Sequence, residues 1–276
     1  MMDFDLVDKV AVVSGASRGI GKAIATTLAC EGACVMLVAR KKKDLDDAVA
    51  EIEVRAPGRV DAVVADMTEP REVADAVGAA RARFGPISIT VSNVIGHVID
   101  SGKEGDGPGA GTFSSMPAEE YRREFHHLFV SAWSLAHEAL PDMRAARWGR
   151  ICNIGSGVAR EPATNLPHVL PNVVRPAVAG LHRLLAARLA PEGITVNNIL
   201  TGSILTERNL SYWRWLADER GSTFDEVTAA FHGQIPLRRQ GEPSEMAALV
   251  AFLCSARAGS ITGQSIPVDG GISHHL

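Results

Sequence analysis

The chain has 276 residues, 46% of them hydrophobic, which is enough for one substantial core and favours a single α/β domain over two. Its 28 Lys and Arg residues against 32 Asp and Glu residues leave a net charge of −4, which argues against a nucleic-acid-binding protein. The four cysteines lack the spacing of a zinc or redox motif, and no apolar run is long enough for a bilayer. With no signal peptide in the sequence, we expect a cytoplasmic protein with reduced thiols, no metal and no membrane contact.

Strand and helix patterns alternate along the chain. Short apolar runs predict strands at residues 10–14, 34–39, 60–65, 87–92, 150–155, 194–200 and 265–268. Amphipathic stretches predict helices at residues 19–31, 43–55, 70–83, 117–146, 172–190 and 243–255. This alternation predicts an α/β fold, a doubly wound parallel sheet of seven strands with helices on both faces.

Two stretches interrupt the alternation. Residues 96–116 are rich in glycine, a composition typical of a surface loop. Residues 203–240 hold Tyr212, Trp213 and Trp215. These aromatic side chains suggest a bulky substrate, and the alternative is that they pack with one another.

A glycine-rich turn joins the first strand to the first helix. Gly15, Gly19 and Gly21 stand in this turn. Glycine lets the backbone approach a diphosphate, and the free N–H groups and dipole of a helix N-terminus favour its charge. The strand before the turn and the helix after it are the context that such a motif requires. We therefore interpret the turn as a phosphate site rather than a turn that binds nothing.

The residue at the end of the second strand bears on cofactor choice. In NAD-specific sites an acidic residue here binds the ribose 2′-hydroxyl. This chain has Arg40 instead, with Arg18 in the glycine turn. Two guanidinium groups suit a 2′-phosphate because each presents a planar fork of donors. The pair favours NADP(H) over NAD(H), unless both arginines are merely solvated.

Motifs spaced along the chain carry a family resemblance. They are Gly-x-x-x-Gly-x-Gly at 15–21, Asp66-Met67-Thr68, Trp148-Gly149-Arg150-Ile151 leading into Asn153-Ile154-Gly155-Ser156, Gly193-Ile194-Thr195-Val196-Asn197, and Ile261-Thr262-Gly263-Gln264 leading to Val268-Asp269-Gly270-Gly271. Together, from residue 9 to residue 271, they resemble the single-domain branch of the short-chain dehydrogenase/reductase family. The resemblance implies one Rossmann-type dinucleotide-binding domain over residues 1–276, with residues 203–240 as a substrate lid. It also implies a homo-oligomer, a tetramer or dimer, joined through the helices at 117–146 and 172–190 and the last strand.

The resemblance also implies which residues hold the cofactor. Arg18 and Arg40 match the family pattern for NADP, and Asp66 is expected to contact the adenine amino group unless it is only a loop cap. The full expected set is Gly15, Ser17, Arg18, Gly19, Ile20, Gly21, Arg40, Asp66, Met67, Asn93, Arg175, Gly202 and Ile204.

The chain departs from the family at the catalytic positions. The family uses Asn, Ser, Tyr and Lys, and the aligned positions here read Leu128, Ser156, Pro171 and Arg175. Pro171 has no proton to give, and Arg175 does not act as an acid near neutral pH. Losing a positioned acid costs about 10²–10⁴ in rate. A simple ketone reductase would therefore be slow unless another group supplies the proton.

Three substitutes for the missing acid are open. They are His168, His97 and a water held by Ser156, and each histidine has an ordinary surface imidazole as its alternative. We take Ser156, Arg175 and His168 as the catalytic candidates. Ile95 occupies a glycine position of the family, which implies a bulkier floor beneath the nicotinamide.

Prolines crowd the segment around the start of the fifth predicted helix. Pro167, Pro171 and Pro176 all lie there, and Asn172 is a good N-cap. We expect this helix to begin near Asn172, with residues 160–171 as a partly irregular wall of the pocket.

The combined expectation is an NADPH-dependent reductase with a non-standard active site. It would transfer hydride to C=O, C=N⁺ or conjugated C=C of a bulky, aromatic or polycyclic small molecule. A substrate that needs no acid fits best. An iminium ion accepts hydride directly, and a conjugated enone or a substrate with its own nearby hydroxyl also relaxes the need for an acid. The alternatives are a non-redox enzyme on the same fold, such as a cyclase, isomerase or dehydratase, and a nucleotide-binding protein without turnover.

Overall fold

The structure is a computed structural model that describes residues 3–94, 116–162 and 169–274. Almost all of the glycine-rich stretch predicted at 96–116 lies outside these residues. Ile95, His97 and His168 also lie outside them, so the expectations for these three side chains stay predictions.

The sheet has the predicted doubly wound form. Within the described residues seven parallel strands take the order β3-β2-β1-β4-β5-β6-β7. They are β1 Val10–Ser14, β2 Cys34–Ala39, β3 Val60–Val64, β4 Ile87–Ser92, β5 Gly149–Ser156, β6 Ile194–Thr201 and β7 Ser265–Val268. Each bound lies within one residue of its prediction, because strands buried on both faces are apolar throughout. The strand order reverses between β1 and β4, and ligands of such sheets bind at that switch point.

Two helical layers cover the sheet. Helices α1 Gly19–Cys30, α2 Lys42–Glu53 and α9 Pro243–Cys254 pack on one face, with α3 Pro70–Phe84, α5 Ser131–Ala146 and α6 Val169–Leu189 on the other. Alternate side chains of β1 enter the two cores, Ala11 and Val13 on one side, Val10 and Val12 on the other. Among the described helices, none is long and apolar enough to cross a membrane.

The helix predicted at 117–146 is interrupted. Helix α4 Ala118–Phe125 runs into a π-helical turn, His126–Val130, which then continues as α5. The hydroxyl of Ser131 donates to the carbonyl of His127 within this turn. A π-helical turn inserts one extra residue per turn and often marks a functional site. Here it holds Leu128, the residue expected at the position of the family's catalytic Asn.

The predicted start of α6 is wrong. The helix is already formed at Val169, so Pro171 lies in its first described turn rather than in an irregular wall. Leu170, fully buried, anchors the same turn in the core. The exposed Pro176 lies inside the helix, where the sequence also placed it.

Candidate functional site

Hydrogen bonds tie together the ends of β1 and β4 at the switch point. The hydroxyl of Ser14 donates to the carbonyl of Val91 at 3.4 Å and accepts from the amide of Asn93 at 2.8 Å. The Asn93 side-chain amide in turn donates to the carbonyl of Gly15 at 3.4 Å. Asn93 therefore lies directly against the glycine turn.

The glycines of the turn are sterically required. A Cβ on Gly15 would lie 2.4 Å from the carbonyl oxygen of Asn93, and one on Gly21 would lie 2.2 Å from that of Gly15. Gly15 and Gly19 also have positive φ angles of 59° and 56°. Arg18 is the N-cap residue of α1, and its side chain makes no capping hydrogen bond within the described chain. This bare, close-packed turn fits the diphosphate of a dinucleotide.

Arg18 and Arg40 are both exposed at the rim of the turn. Arg40 Nη1 lies 4.0 Å from Asp66 Oδ2, while Asp66 Oδ1 accepts hydrogen bonds from the amide and hydroxyl of Thr68 at 2.9 and 2.8 Å. Burial opposes ionisation of Asp66, but the bonds from Thr68 and the charge of Arg40 outweigh it and lower the pKa of Asp66. Asp66 Oδ1 thus caps its loop through Thr68, and the adenine contact expected of Asp66 stays a prediction. Met67 beside it is buried in the core.

The positions aligned with the family's catalytic residues lie near the end of β5. Ser156 ends that strand, and Gly155 before it lines a cavity. The lining residues are Ser92, Val94, Leu128, Asn153, Ile154, Gly155, Ala159, Arg175, Val178, Ala179, Asn198 and Leu200. Leu128 from the π-helical turn and Arg175 from α6 therefore face the same cavity. Pro171 lies one helical turn before Arg175, so the structure brings all four aligned positions to one edge of the sheet.

A group of charged residues surrounds Arg175. Burial lowers the pKa of Arg175, the carboxylate of Glu124 opposes that shift, and Arg208 adds to it. Burial likewise lowers the pKa of Arg208, as does Arg18, against the opposing charge of Glu124. As whole residues Arg175 is half-buried and Arg208 is exposed, whereas Glu124 is fully buried. The arginines therefore give the cleft a net positive charge around the carboxylate of Glu124.

Sequence reasoning missed Glu124 and Arg208. Glu124 lies one helical turn before Leu128, so the spacing of that helix could have indicated it. Arg208 lies in α7, and no local signal shows where that helix packs.

Two helices, α7 Glu207–Arg220 and α8 Phe224–Gln234, form most of the predicted lid region. Trp213 is 3% exposed and stacks on Phe231 with ring centroids 5.2 Å apart, so the aromatic side chains pack within this region. The start of the lid region lies against the glycine turn, since a Cβ on Gly19 would lie 3.5 Å from Thr206 Cγ2. The aromatic residues thus give no support for an aromatic substrate.

Gly202 and Ile204 of the expected cofactor set lie just after β6. A Cβ on Gly202 would lie 2.5 Å from the Cα of Asp269, which explains the glycine. Ile204 is buried and pairs with Gly241 in a single parallel bridge. Both therefore stand at the carboxyl edge of the sheet.

A glycine turn at the switch point of a parallel sheet is the architecture of dinucleotide-binding proteins. The chain belongs to the short-chain dehydrogenase/reductase family. A family profile described as enoyl-(acyl carrier protein) reductase matches its residues 15–273.

Known proteins resemble the chain over nearly its whole length. An uncharacterized oxidoreductase of Mycobacterium tuberculosis is 34% identical over 272 residues, covering 98% of this chain and 94% of that protein. L-sorbose reductase from Gluconobacter frateurii, solved in complex with NADPH and L-sorbose, is 31% identical with a TM-score of 0.90 and covers 100% of both chains. An NADPH-bound short-chain oxidoreductase from Pseudomonas aeruginosa, described as containing an atypical catalytic center, is 31% identical with a TM-score of 0.84. It covers 98% of this chain and 99% of that one.

Proposed function

We propose that the protein is an NADP(H)-dependent reductase whose catalytic centre departs from that of its family. The glycine turn at the switch point, with Arg18 and Arg40 at its rim, is the observation that carries the proposal. Bound NADPH supplies a hydride from its nicotinamide ring. The NADPH complexes of the sorbose reductase and of the Pseudomonas protein support the choice of cofactor.

The proposed cofactor residues follow the path from the glycine turn to the end of β5. Gly15, Ser17, Gly19, Ile20 and Gly21 would hold the diphosphate. Arg18 and Arg40 would bind the 2′-phosphate, because a guanidinium fork matches phosphate geometry. The remaining positions are Asp66, Met67 and Asn93 toward the adenine and its ribose, and Arg175, Gly202 and Ile204 toward the nicotinamide half.

The proposed chemistry rests on three side chains. Ser156 would orient the reacting oxygen or a water, and Arg175 would hold ribose hydroxyls and supply positive charge. Pro171 supplies no proton. Substrates that accept hydride without an acid, iminium ions above all, therefore suit this site, as do carbonyl compounds for which another group donates. The atypical centre described for the Pseudomonas relative supports such a departure within the family.

Titration of NADPH fluorescence, followed by NADPH consumption, tests the proposal. The probes are ethyl acetoacetate for C=O, N-methyl-3,4-dihydroisoquinolinium for C=N⁺ and 2-cyclohexenone for conjugated C=C. We expect tight NADPH binding, weaker NADH binding and consumption with the iminium probe. Absence of NADPH binding contradicts the cofactor assignment. Binding without consumption of any probe contradicts hydride transfer and favours nucleotide binding without turnover, or a non-redox reaction on the same fold.

A further inference from the structure

The C-terminal segment, residues 269–274, crosses the carboxyl edge of the sheet. Val268 ends β7 and pairs with Thr201 of β6, which pairs with Ser156 of β5. Because β6 lies between them, β5 and β7 are two strand spacings, or about 10 Å, apart. After two glycines with positive φ angles, the chain turns back, and Ser273 Oγ lies 3.8 Å from where a Cβ on Gly157 would stand. The segment thus ends beside the residue that follows Ser156.

This segment is held on both sides. Asp269 accepts hydrogen bonds from the amide of Gly271 at 2.9 Å and from the amide of Ser273 at 3.1 Å. From the lid region, the amide of Leu237 donates to the carbonyl of Gly270 at 3.2 Å. The path of the chain up to His274 is therefore defined by hydrogen bonds.

His274 is oriented by a carboxylate from the loop after β5. Glu161 Oε2 accepts from the backbone amide of His274 at 3.0 Å, and Glu161 Oε1 lies 3.1 Å from Nδ1 of its ring. A carboxylate beside Nδ1 favours a proton on that nitrogen, which donates to the carboxylate. Nε2 is then the ring nitrogen that can exchange a proton with a substrate. The side chain of His274 is 87% exposed, so Nε2 is open to a ligand and to water.

We propose that His274, oriented by Glu161, is the proton donor for carbonyl substrates in place of the tyrosine that the family has at the position of Pro171. The inference rests on the proposed reductase function. The hydride that bonds to the carbonyl carbon comes from the cofactor, which is oxidised to NADP⁺. The C=O π pair moves to oxygen, and that oxygen takes the proton of the protonated His274 as the Nε2–H bond breaks. The neutral ring then takes a proton from water.

Other charged groups lie in this segment or next along the chain to residues that hydrogen-bond to it. Arg160, next to Glu161, donates to the carbonyl of Ser265 at 3.4 Å, and Asp269 belongs to the segment itself. Arg238, from the lid region, donates to the carbonyl of Gly233. Because all three are present in every variant below, a change seen only after substitution at His274 or Glu161 belongs to that pair.

Two substrates separate proton donation from every other role. His274→Gln is expected to lower kcat for ethyl acetoacetate by about 10²-fold or more, because a positioned acid is lost. The same variant should reduce N-methyl-3,4-dihydroisoquinolinium within about twofold of the parent rate, because an iminium needs no proton. His137→Gln is the control, since that exposed ring stacks on Trp133 of α5. Equal losses on both probes, no loss on either, or a parent that reduces the iminium alone would overturn the proposal.

A second readout needs no turnover. The ¹⁵N signals of the His274 ring in the protein with NADP⁺ report its tautomer. Glu161→Gln should mix the two tautomers, because an amide side chain can either accept from or donate to Nδ1. An unchanged tautomer in Glu161→Gln contradicts the orientation by Glu161. If the parent consumes NADPH with neither probe, the reductase function fails, and the ring tautomer still decides whether Glu161 orients His274.

Discussion

The nucleotide half of the cleft and the catalytic half obey different constraints. In the nucleotide half, around β1, α1 and β2, backbone groups do the work, and glycines stand where a Cβ would collide with a carbonyl. In the catalytic half, around β5, the π-helical turn and α6, side chains do the work, and we propose that they differ from the family at three of four positions. A backbone cradle tolerates little change, whereas side-chain chemistry can be replaced from a neighbouring element. The sequence therefore predicts the fold and the class of cofactor more securely than it predicts the reaction.

Gly21→Ala is expected to have the largest effect on the nucleotide half. Its Cβ would lie 2.2 Å from the carbonyl oxygen of Gly15, so the cradle must open. We expect NADPH binding to weaken by at least about 10³-fold in a fluorescence titration. Gly78→Ala in α3 is the control, because nothing lies within 4 Å of its Cβ. That helix should gain up to about 1 kcal/mol. Parent-like NADPH binding by Gly21→Ala would contradict the cradle.

The double variant Arg18→Ala with Arg40→Asp tests the rim. Both guanidinium partners of the 2′-phosphate are removed, and an acid replaces one of them. NADPH binding should weaken on the order of 10²-fold or more, with little change for NADH. If both nucleotides bind the variant as tightly as the parent, the phosphate assignment is wrong.

Acid should destabilise the catalytic half through His182 of α6. This ring is 1% exposed, and burial lowers its pKa to about 4, although a hydrogen bond with the Val178 carbonyl opposes the shift. The unfolded chain binds the proton near pH 6.5, so folding stability is full above about 6.5 and falls as pH drops toward about 4. The loss is about 3 kcal/mol.

Urea unfolding between pH 7 and 4 measures this loss. His182→Leu should flatten the profile across that window, and the exposed His137→Gln should leave it unchanged. A profile that keeps the parent slope in His182→Leu would assign the acid sensitivity to other groups.

The smallest expected effect concerns assembly. Phe125, Trp133, Val173 and Leu184 are large hydrophobic residues, 41–56% exposed, on α4, α5 and α6. We propose that they form the face through which copies of the chain associate, since soluble enzymes are commonly symmetric homo-oligomers. Light scattering at micromolar concentration should show a dimer or tetramer, and Leu184→Glu should lower the mass. Val54→Glu, on a residue 83% exposed after α2, should not. A monomeric parent chain would contradict the proposal.

The buried parts of the fold were predictable, and the irregular parts were not. Apolar strands such as β1 and the glycine turn after it carry their structure in local sequence, because burial and backbone sterics act within a few residues. The π-helical turn at Leu128 and the helical conformation of Pro171 depend on packing between α4 and α6, which no local pattern reports. The positions of Arg208 and of the Glu161–His274 pair depend on how the lid region and the C-terminal segment pack against the sheet edge. The spacing of residues along the sequence does not indicate this packing.

The central claim is that the site works without an acid at position 171, and Pro171→Tyr tests it directly. A tyrosine there would lack the lysine that lowers its pKa, because Arg175 differs in shape and length, and its ring would enter the first described turn of α6. Steady-state rates on the iminium and ketoester probes, with NADPH affinity measured on the same preparation, decide the question. We expect the variant to be slower than the parent on the substrate that the parent reduces best, with unchanged NADPH affinity. A variant markedly faster than the parent would contradict the account, since the site would then be one that still lacks the acid of its family.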